Sequence, residues 1–262
     1  MPLLLLKLTL TPLIVGGASL AVRRWGPAVG GWIVSLPLTS GPVLFFLALD
    51  PGPAFARTAT TGTLLGLGAI CGFAIGFLAG SRRGPLVAFA SASAGFLVVA
   101  IAVQPFVQAP FPVLAVCVVA AIAGVLRLLP ATGGAGTAIE HPAWDLPARV
   151  IVGTVLVLGL TTIAPLLGPV TSGLVATFPV YVAVLAVFEH LRAGRVAALG
   201  VLRGLLTGLF GTVAFYAVIR ALILPAGIAV AFAAAVAVTA VVGAASLRVV
   251  RSRIENPEPE PV

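Results

Sequence analysis

Hydrophobic residues in this chain run in long blocks without strand-like alternation, and the polar residues gather between them. Nine blocks stand out: 3–22, 27–49, 58–79, 85–103, 111–129, 149–167, 169–188, 196–222 and 225–247. Each approaches or exceeds the roughly 20 apolar residues a helix needs to cross a bilayer. In lipid every backbone amide must be paired within its own segment or a closed barrel. Continuous apolar runs without a dyad period exclude the barrel. The predicted fold class is therefore all-α: a polytopic membrane bundle of about nine transmembrane helices.

The polar segments set the organisation. Residues 1–103 form a first four-helix unit, 104–129 a connecting transmembrane helix, 130–148 a loop, 149–250 a second four-helix unit and 251–262 a tail. The loop is rich in Gly and Thr and carries Glu140, His141, Trp144 and Asp145. The tail, RSRIENPEPEPV, is polar and proline-rich and is expected to be disordered. The first block has no basic leader and is followed by Arg23 and Arg24, the order of a retained helix and not of a cleaved signal peptide. The positive-inside rule orients the bundle. With the N-terminus outside, the cytoplasmic segments hold eleven arginines: 23, 24, 82, 83, 127, 149, 192, 195, 248, 251 and 253. The outer side holds only Lys7, Arg57 and Arg220. The C-terminus is then cytoplasmic, and the expected location is a bacterial inner membrane.

Composition agrees. The chain is 60% hydrophobic and 8% charged, with a mean hydropathy of +1.21, against roughly 25% charged in a soluble domain. The net charge of +8 comes from arginines between apolar blocks and not from a basic tract with interleaved aromatics, so nucleic acid is not an expected partner. Cys71 and Cys117 each lie inside an apolar block without CxxC spacing and read as small packing residues. His141 and His190 are isolated, so no metal site is expected. No phosphate-binding loop, nucleophile elbow or paired catalytic acid occurs, and neither an enzyme activity nor a cofactor is expected.

The two halves repeat at a fixed offset of 142 residues. Gly26-Pro27 matches Gly168-Pro169, Gly31 matches Gly173, and Pro37 matches Pro179. Phe46, Leu49, Gly52 and Ala56 match Phe188, Leu191, Gly194 and Ala198. Gly62, Leu64, Gly66, Leu67 and Phe73 match Gly204, Leu206, Gly208, Leu209 and Phe215. These are 13 identities in 48 positions, where composition alone would give about five, so an internal repeat is expected. Four spans, one connecting span and four more spans make the second copy enter the membrane from the opposite side. The copies are therefore expected to be inverted, as in many secondary transporters.

The pattern of Gly-Pro-x3-Gly, a mid-helix proline, Gly-x3-Ala and a glycine-rich helix resembles the GlpM-like family of small four-span bacterial inner-membrane proteins. The resemblance covers roughly residues 7–103 and again 149–245 and implies two such units fused through a fifth helix. It also implies an association with production of the exopolysaccharide alginate, without catalytic residues to transfer. The arrangement is similar, in architecture alone, to the drug/metabolite transporters, whose larger members look like fused inverted copies.

Candidate substrate-binding residues follow from what is costly in a membrane. Pro37 and Pro179 sit near the centres of their spans, where each frees a backbone carbonyl that a neighbouring helix, water or ligand must satisfy. Thr39, Ser40, Thr61 and Tyr181 supply polar groups near them. Arg203 lies within a span, where an arginine snorkels, pairs or binds an anionic head group; Glu189 is its candidate partner. Asp50–Arg57 and Glu189–Arg192 read as interfacial ion pairs. Gly62 and Gly66, and Gly200, Gly204 and Gly208, repeat every four residues and read as helix-packing faces, as do Gly72, Gly76 and Gly80. The leading expectation is a secondary transporter or flippase-like carrier of a small or amphipathic solute, with a polar cavity between spans two, three, seven and eight. The alternative is a non-transporting accessory or scaffold subunit for envelope or exopolysaccharide production. Expected partners are the lipid bilayer and a small-molecule solute, with a homodimer or larger membrane complex left open.

Overall fold

The computed structural model describes residues 2–37, 40–49, 52–130, 144–163 and 177–255. Among these, every regular element is a helix: α1 (Pro2–Trp25), α2 (Pro27–Ser35), α3 (Ser40–Leu49), α4 (Pro53–Gly80), α5 (Pro85–Ala102), α6 (Phe111–Leu128), α7 (Asp145–Ile163), α8 (Val180–Leu222) and α9 (Gly227–Glu255). Two short 3-10 turns, Ser81–Arg83 and Gln104–Gln108, follow α4 and α5.

Five segments among the described residues are long and apolar enough to cross a membrane: Pro53–Arg83, Pro85–Ala102, Phe111–Leu128, Val180–Leu222 and Gly227–Ser246. An all-helical membrane bundle thus stands at that level. The second expected span is not one helix. It stops at Ser35, with Leu36 in an extended conformation (φ −63°, ψ 149°), and resumes as α3 at Ser40. Proline at 37 disfavours the helical conformation for Leu36.

Gly-Pro pairs write the helix starts. Pro27, Pro53 and Pro85 open α2, α4 and α5, where a missing N–H costs nothing. Gly52, before Pro53, has φ 126° and ψ 170°, a conformation that L side chains rarely adopt. Its counterpart at the 142-residue offset, Gly194, has φ 82° and ψ −175° and divides α8 into two helices, 180–193 and 195–222. Residues 195–222 correspond to 53–80, the span of α4.

Cross-contacts fix the directions. Arg195 on α8 donates to Ser81 Oγ after the end of α4 at 2.8 Å. Arg220 donates to the Arg57 carbonyl near the start of α4 at 3.0 Å. So α4 and the 195–222 part of α8 run antiparallel. His190 stacks 6.1 Å from Phe77, and Phe178 lies 5.8 Å from Phe73 and 5.3 Å from Phe96. The chain therefore approaches the Ser81 end through 180–193 and turns back at Gly194. Arg220 over Phe111 (4.7 Å) sets the start of α6 beside Arg57 and its Arg127 end opposite. Arg23, Arg82, Arg83, Arg127, Arg149, Arg192 and Arg195 thus share one end of the bundle, and Arg57 and Arg220 the other. That is the division the charge pattern suggests.

Small residues let the backbones meet. A Cβ on Gly76 would fall 2.7 Å from the Ser91 carbonyl carbon and 2.9 Å from Ala92 Cα, locking α4 onto α5. On the other side of the bundle, a Cβ on Gly204 would lie 2.6 Å from the carbonyl carbon of Ala28 and 2.9 Å from its Cα. One on Gly31 would lie 2.7 Å from the Val201 carbonyl carbon. These contacts seat α2 on α8. Between the pairs, Leu64, Phe73, Phe77, Leu202 and Leu206 are fully buried. The outer faces stay apolar: Leu86, Val98, Val116, Ile151 and Val241 are all more than half exposed. An aqueous surface does not tolerate that many large apolar side chains in contiguous bands, whereas lipid does.

Candidate functional site

Three polar regions lie at different depths, and the residues singled out from sequence divide among them. The first is the middle of the bundle. Ser35, the last residue of α2, packs against Gly208, halfway along 195–222. Thr177, its counterpart at the 142-residue offset, packs against Gly66, halfway along α4, with its Cβ 2.8 Å from where a Gly66 Cβ would be. Pro37 and Pro179 follow these two residues and so lie mid-bundle, as the hydropathy pattern places them. The carbonyl freed at Ser35 is taken by Thr212 Oγ1 of α8 at 2.6 Å. A neighbouring helix thus supplies the partner that the break requires.

Aromatic rings lie near the Pro37 break and near the start of α8 at Pro179. Phe178 stands edge-on to Phe73, Phe89 and Phe96. Phe215 lies 6.1 Å from Phe232, which is 5.1 Å from Phe45. Tyr181 is half-buried in a smaller cluster with Val15, Val180, Val184 and Phe188. Thr39 lies outside the described residues, as does Asp50 of the expected Asp50–Arg57 pair. Ser40 opens α3. Among the glycines, Gly200, Gly204 and Gly208 are buried on α8, whereas Gly62 is exposed and a Cβ there would meet nothing within 4 Å among the described residues.

The second region is the Arg57 end. Arg57 Nε donates to the Arg220 carbonyl at 3.3 Å, while Arg220 Nη1 donates to the Arg57 carbonyl and to Thr61 Oγ1, each at 3.0 Å. Thr61 therefore serves this interlock between α4 and α8 and does not line the mid-bundle breaks.

The third region, at the Arg23 end, escaped the sequence reading. Asp145 Oδ2 accepts from Arg23 Nη2 at 3.1 Å and from Arg149 Nε at 3.2 Å, and Arg149 Nη2 donates to Glu189 Oε1 at 2.8 Å. Asp145, Arg149 and Glu189 are all buried. The expected Glu189–Arg192 pair gives way to Glu189–Arg149, because α7 lays its first turn against α8 while Arg192 turns onto the Trp144 ring at 5.5 Å. Nor does Arg203 reach Glu189. Its Nη1 donates to the carbonyls of Leu126, Leu129 and Pro130 at 3.3, 2.8 and 3.3 Å, capping the C-terminus of α6. Two carboxylates, Asp145 and Glu189, are thus held inside the protein. Burial by itself would raise the Asp145 carboxyl. The Arg149 charge, the hydrogen bonds from Arg149 and Arg23, and the Arg192 charge outweigh it and hold the group below its ordinary value. One signal was legible: Asp145 and Arg149 are four apart at the start of a helix, where an acid suits the N-terminus and an i,i+4 base completes the pair.

Among the described residues no group of three or more His, Cys, Asp or Glu side chains could hold a metal ion. No family model, no curated protein and no solved structure matches this chain.

Proposed function

We propose that this chain is a membrane carrier for a small or amphipathic solute, built from two inverted four-helix repeats on either side of α6. One observation carries the reading. Ser35 of the first copy seats on Gly208 of the second, and Thr177 of the second seats on Gly66 of the first. An exchange of equivalent contacts between halves is what a pseudo-twofold axis produces. The antiparallel run of α4 against residues 195–222 supports an axis in the membrane plane.

In this reading nine passes cross a bacterial inner membrane, with the N-terminus outside and the C-terminus in the cytoplasm. The broken helices meet at the midplane, where inverted-repeat carriers hold their cargo. Rings at Phe73, Phe96, Phe178, Phe215 and Phe232 favour an apolar body on that cargo. The Arg57–Arg220 interlock and the Arg23–Asp145–Arg149–Glu189 cluster close the two ends. Purified chain reconstituted in liposomes, assayed with a panel of amphipathic cations, anions and neutral solutes, should give saturable flux for at least one class. Tight packing of a bulky residue at Gly66 or Gly208 should abolish it. Absence of flux across the panel contradicts the carrier.

A second reading, an accessory scaffold in an envelope or exopolysaccharide assembly, draws on a different observation. At the break after Ser35 the carbonyl of Ser35 is already held by Thr212. That reading expects co-purification with a larger membrane complex and no flux.

A further inference from the structure

Acidic residues are missing from a long stretch of this chain. No Asp or Glu occurs between Asp50 and Glu140, a stretch that covers α4, α5 and α6, and residues 195–222 of α8 have none either. Arginines are not missing there. Arg82 and Arg83 form the turn after α4, and Arg127 lies in the last turn of α6. All three are exposed, and none is in an ion pair among the described residues. The two buried acids at this end of the bundle, Asp145 and Glu189, are engaged by Arg23 and Arg149 on the α7 side.

The packing of α4 on α6 brings these arginines together. The two helices run in the same direction, with a Val118 methyl 3.7 Å from where a Gly68 Cβ would lie. From that level, at about 1.5 Å per residue, Arg82 stands about 21 Å along α4 and Arg127 about 14 Å along α6. The difference is roughly the length of one arginine side chain, so the three guanidinium groups can converge on one level. Arg195, tied to Ser81 Oγ at 2.8 Å, adds a further positive charge beside Arg82. Next to these charges the surface turns apolar: Leu86 is 78% and Leu128 63% exposed.

We infer that the ends of α4 and α6 form a docking site for an anionic phospholipid. Its phosphate sits among Arg82, Arg83 and Arg127, and its acyl chains lie along Leu86 and Leu128. Guanidinium groups match phosphate oxygens in geometry and charge. A soluble anion would use the arginines alone, whereas a phospholipid uses the arginines and the leucines beside them. A choline headgroup returns a positive charge to a site without carboxylates, so the match is to a headgroup of net negative charge. The inference rests on the membrane reading and not on the carrier, since lipid occupies such a site whether or not solute moves.

The test titrates the full chain, in an uncharged detergent, with phosphatidylglycerol or with phosphatidylcholine and reads bound lipid by native mass spectrometry. Phosphatidylglycerol should bind saturably and more tightly than phosphatidylcholine. Arg82→Gln, Arg83→Gln and Arg127→Gln should each weaken it roughly fivefold, the worth of one basic residue at an anionic surface, and the triple variant should lose the preference. Arg24→Gln should leave it unchanged, because α1 packs on α2 and α7 elsewhere in the bundle. Inorganic phosphate should displace no more lipid than chloride does at the same ionic strength. Should the triple variant fail to fold by circular dichroism, the three single variants decide. Equal affinity for the two lipids, full affinity in the arginine variants, an equal loss in Arg24→Gln, or displacement by inorganic phosphate overturns the proposal.

Discussion

Replacing Gly204 with alanine adds one methyl group where two helices touch backbone to backbone. The new Cβ would sit 2.6 Å from the Ala28 carbonyl carbon and 2.9 Å from Ala28 Cα. Ordinary contact begins near 3.4 Å, so α2 and α8 must separate by at least about 0.8 Å, and a core packed like an organic crystal has no slack for that. The atoms in the way are main chain, so no rotamer change relieves the clash. Overpacking of this kind costs about 1–3 kcal/mol, and alanine's better helix propensity returns about 1 kcal/mol at most. A net loss of roughly 1–2 kcal/mol is expected. Separation would also pull Gly31 from Val201 and lengthen the 2.6 Å bond between Thr212 and the Ser35 carbonyl. The assay is reversible unfolding in mixed detergent micelles followed by circular dichroism, with Gly124→Ala as control, since a Cβ at Gly124 meets nothing within 4 Å. If Gly204→Ala proves as stable as the control, the close approach of α2 and α8 is wrong.

Other expectations follow from the same geometry. Gly66→Ala and Gly208→Ala should destabilise to a similar degree, because Thr177 and Ser35 occupy equivalent seats; unequal losses in unfolding assays would argue against the pseudo-twofold relation. Arg149→Gln should lower stability by about 3 kcal/mol, since it strands the buried Glu189 carboxylate and takes one of two arginines from Asp145, and adding Glu189→Gln should restore part of the loss in the same assay. Asp145 has a folded pKa below its ordinary value, so its contribution is present above about pH 4 and is lost as pH falls through the lower folded value. Melting temperature should hold from neutral pH to about pH 4 and then drop, and Asp145→Asn should flatten that drop. Arg203→Met should fray α6 at Leu126–Pro130 and raise hydrogen exchange there, at a cost of about 1 kcal/mol.

The helices and their ends were legible because Gly-Pro pairs and block lengths are local signals. Gly84-Pro85 begins α5 where the expected span starts, whereas α4 begins at Pro53, five residues before the expected start at 58. Pro37 marked the place where the second span departs from a straight helix, but the full interruption between Ser35 and Ser40 was not expected. The charged groups were harder to read. Arg149 and Glu189 are 40 residues apart, and only the packing of α7 on α8 joins them. Counting charges by side placed both at the correct end without showing that they touch. Arg203 was expected to snorkel, to pair with Glu189 or to bind an anionic head group; it donates to three backbone carbonyls at the end of α6, contacts that no side-chain motif reveals. Gly62 and Gly204 match in the repeat, yet only Gly204 meets a neighbouring backbone among the described residues.

The inverted arrangement has a direct test in Ala54 and Val196, which are equivalent at the 142-residue offset and both exposed. Single cysteines at these positions, in a chain carrying Cys71→Ala and Cys117→Ala, can be challenged with a membrane-impermeant maleimide in intact and in permeabilised cells. The account expects Ala54→Cys to react in intact cells and Val196→Cys to react only after permeabilisation. Reaction of both from the same side would contradict it.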